Sequence, residues 1–454
     1  MSDRFDVLIV GGGPAGAIAG LVAARAGARV RILERARFPR DKLCGDTLNP
    51  GALAILRRLG IAASIDARGL RVDGMTVSGE NGITINGRYP GELHGRAIVR
   101  RELDAALLDA AALAGCAIEQ GVVVRRAVVV EDRAVRDGQR VAGVVVTSAN
   151  APRRERRLTA PVIIGADGRR SALAFGLGLV RHPPRPRRWA VGAYFGGVAR
   201  PHPIPYRTEG PTPYPTRYRT KGPIPYLTPD PTPLTPDPTP YLIQDQIPDQ
   251  IPDRIPDRTL VAESAVFGEM HIRRNCYIGI APVPGGLTNV CLVREATAGD
   301  ADFRDPAVLV QECIRRDPLL RDRFVSASLA TPPVVLGPLA VDPSGGSFDG
   351  LLLAGDASGF IDPMTGDGLR FAIRGGELAA DAALRVLANG WHGAHAAFAQ
   401  ARAEAFARKW RFNRMLRALV ASPHAVSAAA AGARLAPGIL RAIVARAGDC
   451  HLAA

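Results

Sequence analysis

Two glycine-rich segments, separated by more than three hundred residues, carry the residues of this chain whose spacing points to chemistry. In the first, Gly11, Gly13 and Gly16 follow a short apolar run in the spacing G-x-G-x-x-G. Glycines at this spacing let backbone amides approach a pyrophosphate at the positive end of a helix. The second segment, residues 351–368, reads LLLAGDASGFIDPMTGDG. In this order the two segments predict one cofactor site that is built from both ends of the chain.

The elements around the first segment form a βαβ start. Residues 5–10 read as an apolar strand, residues 17–26 as a helix of small side chains, and residues 31–34 as a second strand. Glu34 ends that strand 21 residues after Gly13, where it is placed to accept hydrogen bonds from an adenosine ribose. This context predicts a dinucleotide, but it does not decide between NAD and FAD.

The later motifs favour FAD. GADG at residues 165–168 places Asp167 at a strand end, where it can hold the fold of the nucleotide domain, and AGDASGF places Asp356 beside the ribityl chain. MTGDG leads into a helix at residues 369–380, whose N-terminal amides can stabilise negative charge on a reduced flavin. Asp367 is interpreted as a helix N-terminal acid rather than a catalytic base. Since the chain contains no second G-x-G-x-x-G, NADPH or NADH is predicted as a transient electron donor.

The rest of the chain predicts an α/β fold with two sheets. The fold class is a Rossmann-type FAD-binding domain, with a βαβ start and a central parallel sheet, joined to a second, mostly antiparallel substrate-domain sheet and C-terminal helices. A further helix is expected at residues 100–114, and strands at 117–130, 140–147, 157–164, 190–198, 260–272, 276–281 and 288–293. The predicted domains are a discontinuous FAD-binding domain (1–70, 99–175 and 340–395), a substrate domain (71–98 and 176–339) and a C-terminal helical region (396–454).

A proline-rich segment interrupts the second predicted sheet. Residues 201–258 contain 17 of the chain's 37 prolines and repeat PIPY and IPD units. Such a stretch cannot pair into a sheet, so extended polyproline II or disorder is expected. A tolerated loop insertion is the favoured interpretation, and a docking site for an aromatic-lined groove is the alternative.

The composition limits the partners and the compartment. The formal net charge is +15, but only three of the 58 basic residues are lysines and no RNA-binding or helix-turn-helix signature accompanies them, so no nucleic-acid partner is expected. The six cysteines are scattered without a C-x-x-C pair, which predicts no metal site, no disulfides and a cytoplasmic location. No uncharged apolar run reaches the roughly 18 to 20 residues that cross a bilayer.

The C-terminal stretch FARKWRFNRMLRALV, residues 406–420, has aromatic and aliphatic residues on helical spacing with Arg and Lys between them. Packing onto the rest of the protein is the favoured interpretation. Peripheral attachment to the inner face of a membrane, which would suit a lipid substrate, is the alternative.

Five motifs together resemble the geranylgeranyl reductase family of FAD-dependent oxidoreductases. They are DVLIVGGGPAG, FPRDKLCGD, VRRELDAAL, GADGRRSAL and AGDASGFIDPMTGDGLRFAIRGG, and they span nearly the whole chain apart from the proline-rich insert and about the last thirty residues. The family lies within a larger group that includes p-hydroxybenzoate hydroxylase-like monooxygenases and flavin halogenases. The loop around Cys44 and Gly45 is similar to the reductase branch in particular.

The resemblance implies FAD contacts and two catalytic candidates, Cys44 and Asp46, in a loop at residues 42–46 that would run beside the isoalloxazine ring. Cys44 would tune the flavin or contact substrate, although a buried structural thiol fits the sequence equally well. The motifs and the resemblance together give these candidate cofactor-binding residues: Gly11, Gly13, Pro14, Ala15, Gly16, Glu34, Arg35, Cys44, Gly45, Arg100, Val124, Asp167, Asp356, Pro363, Gly366, Asp367, Gly368 and Leu369.

One segment departs from the family pattern. Family reductases carry a Tyr-x-Trp-x-Phe-Pro stretch that lines the lipid cavity, whereas residues 277–282 here read YIGIAP. Gly279 and Ala281 stand in place of two large aromatic residues, which would reshape the cavity. The segment also lacks the tryptophans of halogenases, and no lysine occurs between Asp46 and Thr220, which disfavours a halogenase.

The sequence therefore predicts an FAD-dependent oxidoreductase that reduces carbon–carbon double bonds of an apolar, prenyl or prenyl-quinone substrate by hydride from flavin N5. Two alternatives remain. One is a monooxygenase that hydroxylates or epoxidises a small or lipid substrate through a flavin hydroperoxide, and the other is a non-catalytic FAD-binding scaffold. The sequence does not specify the substrate, the electron donor, the proton donor or the oligomeric state.

Overall fold

The computed structural model describes residues 4–42, 44–80, 84–132, 138–184, 188–200, 265–295, 301–360, 366–420 and 437–452. The proline-rich insert 201–258 and Pro363 lie outside the described residues, so the structure does not address the predictions made for them.

A parallel sheet carries the first glycine-rich segment. Its five described strands, in spatial order, are Leu351–Leu353 (β21), Val162–Gly165 (β12), Val7–Val10 (β1), Val30–Glu34 (β2) and Ala117–Gln120 (β8). All neighbouring pairs run parallel. Since the carboxyl ends of parallel strands share one edge of the sheet, the residues that follow β1, β12 and β21 meet at that edge.

Alternating side chains of this sheet build two cores. Val7 and Ile9 pack into a cluster with the helices, whereas Leu8 and Val10 pack toward a second cluster on the opposite face. Parallel strands are covered on both faces, which explains their unbroken apolar sequence. The second face is covered by an antiparallel sheet of Val122–Glu131 (β9), Gln139–Ser148 (β10) and Ala151–Thr159 (β11).

The helices that cover one face of the parallel sheet come from several parts of the chain. The described α-helices are Pro14–Arg25 (α1), Pro50–Arg58 (α2), Ala62–Asp66 (α3), Arg100–Leu113 (α4), Ala172–Gly176 (α5), Pro306–Arg316 (α6), Gly368–Asn389 (α7), Ala394–Val420 (α8) and Pro437–Ala447 (α9). Helix α7 crosses α1 very closely at Gly376. A Cβ on Gly376 would lie 2.3 Å from the carbonyl oxygen of Ala15, so this approach requires a glycine. This contact fixes α7 against the first glycine-rich turn.

A large second sheet is antiparallel except at one strand pair. Its described strands, in spatial order, are Ser328–Leu329 (β18), Arg188–Gly196 (β14), Leu287–Glu295 (β17), Cys276–Val283 (β16), Phe267–Arg273 (β15), Gly74–Ser78 (β5) and Thr84–Arg88 (β6), and Val334–Leu336 (β19) also pairs with β14. Strands β15 and β5 are the parallel pair. The short strands Thr47–Leu48 (β3), Leu70–Val72 (β4) and Gly95–Ala97 (β7) form one small sheet, and Val180–Arg181 (β13) and Asp342–Pro343 (β20) form another.

Helix α8 packs against the rest of the protein, which was the favoured interpretation of this stretch. Phe406 is 1% exposed and its ring meets that of Phe371 in α7 edge-on at 5.1 Å. Leu416 packs against an apolar cluster around Tyr277, while Met415 is exposed. Among the helices that the structure describes, none is long and apolar enough to cross a membrane. Peripheral membrane attachment stays a prediction.

The predicted fold class is confirmed. A Rossmann-like parallel sheet with flanking helices is joined to a mostly antiparallel sheet and C-terminal helices. Outside segment 202–264 the described residues form one compact unit, and the domain boundaries drawn from the sequence stay predictions.

Candidate functional site

A cavity of about 220 Å³ lies between the glycine turns of the parallel sheet and one face of the large second sheet. Three distant parts of the chain supply the first wall: the start of α1, the loop at residues 44–47, and residues 355–360 together with 366–372. The sequence-predicted residues that line the cavity are Gly13, Pro14, Ala15, Cys44, Gly45, Arg100, Asp356, Gly366, Gly368 and Leu369. The structure thus brings both glycine-rich segments together.

The turn before α1 leaves room for an anion. Gly11 has a φ of +100°, and a Cβ there would lie 2.5 Å from the carbonyl oxygen of Ala166, so the turn requires glycine. Gly13 is the N-cap of α1, and the first turn of that helix contains no acid. A Cβ on Gly13 would find, among the described residues, a single neighbour within 4 Å, a guanidinium nitrogen of Arg40 at 3.8 Å. The positive helix end therefore faces open space.

Two guanidinium groups, of Arg40 and Arg169, each add one buried, unpaired N–H donor near this end. The Nη1 atoms of Arg40 and Arg169 are buried and have no hydrogen-bond partner among the described residues. Arg169 lines the cavity, and the other terminal nitrogen of Arg40 lies 3.0 Å from Asp104. Buried N–H donors without acceptors are uncommon in folded proteins. A diphosphate would satisfy them, so the residues present fit a dinucleotide such as FAD.

Glu34 lies at the end of β2 and is 5% exposed. Its two carboxylate oxygens accept hydrogen bonds from the backbone amides of Gly12 (2.7 Å) and Ala36 (2.9 Å). Each oxygen has a further lone pair for a ribose hydroxyl, and the ribose contact stays a prediction. Arg35 is exposed directly after the strand.

Arg100 and Asp104 form a buried, bidentate ion pair in the first turns of α4. Arg100 Nε and Nη2 donate to the two Asp104 oxygens, both at 2.7 Å. Burial disfavours the charged form of both groups, but the attraction between the two opposite charges is stronger than this effect. The pKa of Arg100 is therefore raised and the pKa of Asp104 is lowered. The Cys44 side chain lies close enough to interact with this guanidinium. Arg100 therefore presents a fixed positive charge beside the Cys44 loop.

A second polar cluster, formed by Asp46, Tyr194 and Asn289, binds the Cys44 loop to the large second sheet. Asp46 is 0% exposed and has a φ of +52°. Tyr194 donates its hydroxyl to Asp46 Oδ2 at 2.5 Å, and Asn289 Nδ2 donates to the same oxygen at 2.6 Å and to the Cys44 carbonyl at 2.8 Å. Burial raises the pKa of Asp46 to about 6. Asp46 is absent from the cavity lining, so this geometry suits a group that positions Cys44.

The sequence reasoning missed Tyr194 and Asn289. They lie opposite each other on β14 and β17, and Asn289 lines the cavity. Strand alternation could have placed Asn289 on the same face as Cys291 and Val293, but nothing local linked that face to Asp46.

The second wall of the cavity is largely apolar. Tyr277, Gly279 and Ala281 alternate along β16 and line the cavity. Gly279 lies opposite Cys291 on one neighbouring strand and Met270 on the other. A Cβ on Gly279 would meet its nearest atoms at 3.8 and 3.9 Å, which is ordinary contact. The small residues of the YIGIAP segment therefore do leave space in the cavity.

The remaining predicted residues do not line the cavity. Asp167 accepts a hydrogen bond from the Ala172 amide at 2.8 Å and so holds the start of α5. Val124 lies on β9 and packs against the core beneath the parallel sheet. Asp367 occupies the N-cap position of α7 but makes no capping hydrogen bond. It is 1% exposed and is bound instead by side chains of α2 and α8.

A serine–histidine–glutamate set occurs on the large sheet, and its glutamate, Glu269, lines the cavity. Ser78 Oγ lies 2.8 Å from His271 Nδ1, and His271 Nε2 lies 3.0 Å from Glu269. Ser78 is 0% exposed, and Arg273 donates to its oxygen at 3.1 Å. No substrate can reach this serine, so the set joins strands β5 and β15 rather than forming a nucleophile.

Comparison with known proteins agrees with the cofactor that the geometry fits. Residues 4–192 match the profile of a family described as FAD binding domain. The chain is 38% identical over 185 residues to a menaquinone reductase of Mycolicibacterium smegmatis, across 40% of this chain and 42% of that protein. It is 34% identical over 207 residues to a menaquinone reductase of Mycobacterium tuberculosis, across 44% of each. The chain thus matches less than half the length of these curated relatives.

Solved structures agree in fold. A flavin-dependent brominase superposes with a TM-score of 0.73 at 18% identity, covering 98% of this chain and 94% of the brominase. A geranylgeranyl bacteriochlorophyll reductase-like protein from Thermoplasma acidophilum superposes with a TM-score of 0.66 at 19% identity, covering 92% and 88%. At these identities the likeness concerns the fold alone. The chain has an FAD-binding Rossmann-like α/β fold.

Proposed function

We propose that this protein reduces a carbon–carbon double bond of an apolar substrate that carries a prenyl chain, such as a prenylated quinone. The observation that carries the proposal is the continuity of the cavity, which runs from the glycine turns that fit FAD to an apolar wall on the second sheet. The menaquinone reductases among the relatives act, by their names, on a prenylated quinone. A further relative, 31% identical over 183 residues, is a digeranylgeranylglycerophospholipid reductase of Methanopyrus kandleri.

The residues of the first wall would hold the cofactor. The amides at the start of α1, with Arg40 and Arg169, would bind the diphosphate, and the turn at residues 366–368 would lie along the flavin ring. FAD bound there would supply hydride to the substrate, with NADPH or NADH as its transient electron donor.

The apolar wall would bind the substrate and exclude water. Tyr277, Val293 and Leu339 belong to one buried cluster with Leu416 of α8 at its edge. A prenyl chain is recognised by burial of its carbons, at about 0.8 kcal/mol for each CH₂ group. Gly279 and Ala281 would give the chain room to approach the first wall.

Asp46, Tyr194 and Asn289 would position the Cys44 loop at the junction of the two walls. Asn289 bonds both the loop carbonyl and the Asp46 carboxylate, so it sets the distance of Cys44 from the second sheet. In this role Asp46 acts through the loop rather than on the substrate.

Monooxygenase activity is the second candidate, because one relative named 6-methylpretetramide 4-monooxygenase, from Streptomyces rimosus, is 40% identical over 85 residues. The mass of the product separates the two. With a prenylated quinone and NADPH or NADH, the proposal predicts a gain of two hydrogen atoms. A gain of one oxygen atom would replace it with the monooxygenase.

A further inference from the structure

A buried charge cluster joins the C-terminal helices to the turn that starts α7. Lys409 of α8 is 3% exposed, and its Nζ lies 3.1 Å from Asp367 Oδ1. The same ammonium donates to the backbone carbonyls of Arg446 (2.8 Å) and Ala447 (2.6 Å) at the end of α9. Lys409 therefore binds the α7 turn and the last helix at once.

Asp367 receives two further hydrogen bonds from opposite sides. Asn49 Nδ2, at the start of α2 and just beyond the Cys44 loop, donates to Oδ1 at 3.0 Å. Asn413 Nδ2 donates to Oδ2 at 3.0 Å, and it lies one helical turn after Lys409, on the same face of α8. Both carboxylate oxygens are thus held, and Asp367 cannot shift without breaking contacts to two other chain segments, the start of α2 and helix α8.

A second ion pair completes the cluster. Arg370 Nε lies 2.8 Å from Asp449, and Asp449 lies 3.5 Å from Lys409. Two acids and two cations are therefore buried together, each of them 5% exposed or less. Removing one partner of a buried ion pair leaves an uncompensated charge, so the four groups depend on one another.

The cluster lies directly behind the cavity wall that would contact the flavin ring in the proposed function. Gly366 and Gly368, the two neighbours of Asp367 in the chain, both line the cavity, as does Leu369. We propose that Lys409 is a positioning residue for FAD: through Asp367 it fixes the turn at residues 366–368 and the first amides of α7 against the flavin ring. The inference rests on the FAD site of the proposed function and is independent of its substrate.

The test compares Lys409→Met with Arg414→Met, which removes an exposed positive charge from the same helix, and with the conservative Lys409→Arg. The readouts are the FAD dissociation constant, the flavin reduction potential, the visible flavin spectrum and the Tm of the purified full chain. Lys409→Met is expected to raise the dissociation constant about tenfold, the equivalent of one charged hydrogen bond. Its potential should become more negative, because the helix amides no longer stabilise the reduced flavin.

Arg414→Met should leave the flavin readouts unchanged, and Lys409→Arg should fall between them. A Lys409→Met protein with a lower Tm but unaltered FAD affinity, potential and spectrum would show that the cluster only fastens the C-terminal helices. If Lys409→Met does not fold, Asn413→Ala removes a neutral partner of Asp367 instead. A weaker FAD affinity and an altered spectrum in Asn413→Ala support the inference, and unaltered values overturn it. Failure of the unchanged chain to bind FAD would refute the proposed function itself.

Discussion

Replacing Gly279 with phenylalanine tests whether the apolar wall of the cavity holds the substrate. A Cβ at this position would lie 3.8 Å from the Cys291 carbonyl oxygen and 3.9 Å from Met270 Cε. The new side chain therefore starts without a clash, but its ring must enter a cavity of about 220 Å³. The second sheet should keep its fold while the cavity loses much of its free space.

The expected loss follows from the carbons that the ring displaces. If the ring excludes one five-carbon prenyl unit, about 4 kcal/mol of apolar burial is lost at about 0.8 kcal/mol for each carbon. That loss corresponds to about a thousandfold in kcat/KM, at about 1.4 kcal/mol for each factor of ten. The glycine turns that fit FAD lie on the other wall, so the FAD content should not change.

The assay measures kcat/KM with a prenylated quinone alongside the FAD content of each protein. Gly196→Phe is the matched control, because Gly196 ends strand β14 of the same sheet, is absent from the cavity lining and has open space around it. An unchanged kcat/KM in Gly279→Phe, with FAD retained, would refute the substrate wall. An equal loss in Gly196→Phe would attribute the effect to the sheet rather than to the cavity.

Three further changes probe the cofactor end and the loop. Gly13→Val puts methyl groups into the open space before α1, so the purified protein should lose FAD. Gly176→Val is the control and should retain FAD, because Gly176 has open surroundings and does not line the cavity. Equal FAD content in the two variants would contradict the diphosphate site. Burial raises the pKa of Asp46 from 3.8 to about 6, so the stability it contributes is complete below about pH 4 and is lost as the pH rises through about 6, by about 3 kcal/mol in total. The side chain of the Asp46→Asn variant cannot ionise, so its free energy of unfolding, measured with urea, should depend less on pH across that window. If the variant shows the same pH dependence as the unchanged protein, Asp46 is not a buried titrating group. Asn289→Ala removes the hydrogen bond to the Cys44 carbonyl and should lower kcat while FAD stays bound. An unchanged kcat would show that Asn289 does not position the Cys44 loop.

Local patterns in the sequence were sufficient to predict that the two glycine-rich segments meet at one site. Gly11 directly follows the apolar strand β1. Its positive φ and its close approach to Ala166 both require glycine, so this part of the sequence is compatible with few other structures. The same reasoning placed Asp356 and the turn at residues 366–368 beside the same cavity.

Contacts between distant segments could not be predicted in this way. Asp46 meets Tyr194 across 148 residues, and Asp367 meets Asn49 across 318. The sequence interpretation of Asp367 as a helix N-terminal acid gave its position but not its role, since its hydrogen bonds come from other elements. Such pairs depend on how the second sheet and helix α8 pack onto the rest of the protein. The spacing of residues within one segment of the sequence does not predict that packing.

Anaerobic reoxidation of the reduced protein tests the central claim most directly. The FAD-loaded chain would be reduced with NADPH or NADH, freed of excess donor, and mixed with a prenylated quinone in the absence of oxygen. The proposal predicts that the oxidised flavin spectrum returns in step with the appearance of a product that has gained two hydrogen atoms. A spectrum that returns only when oxygen is admitted would contradict it.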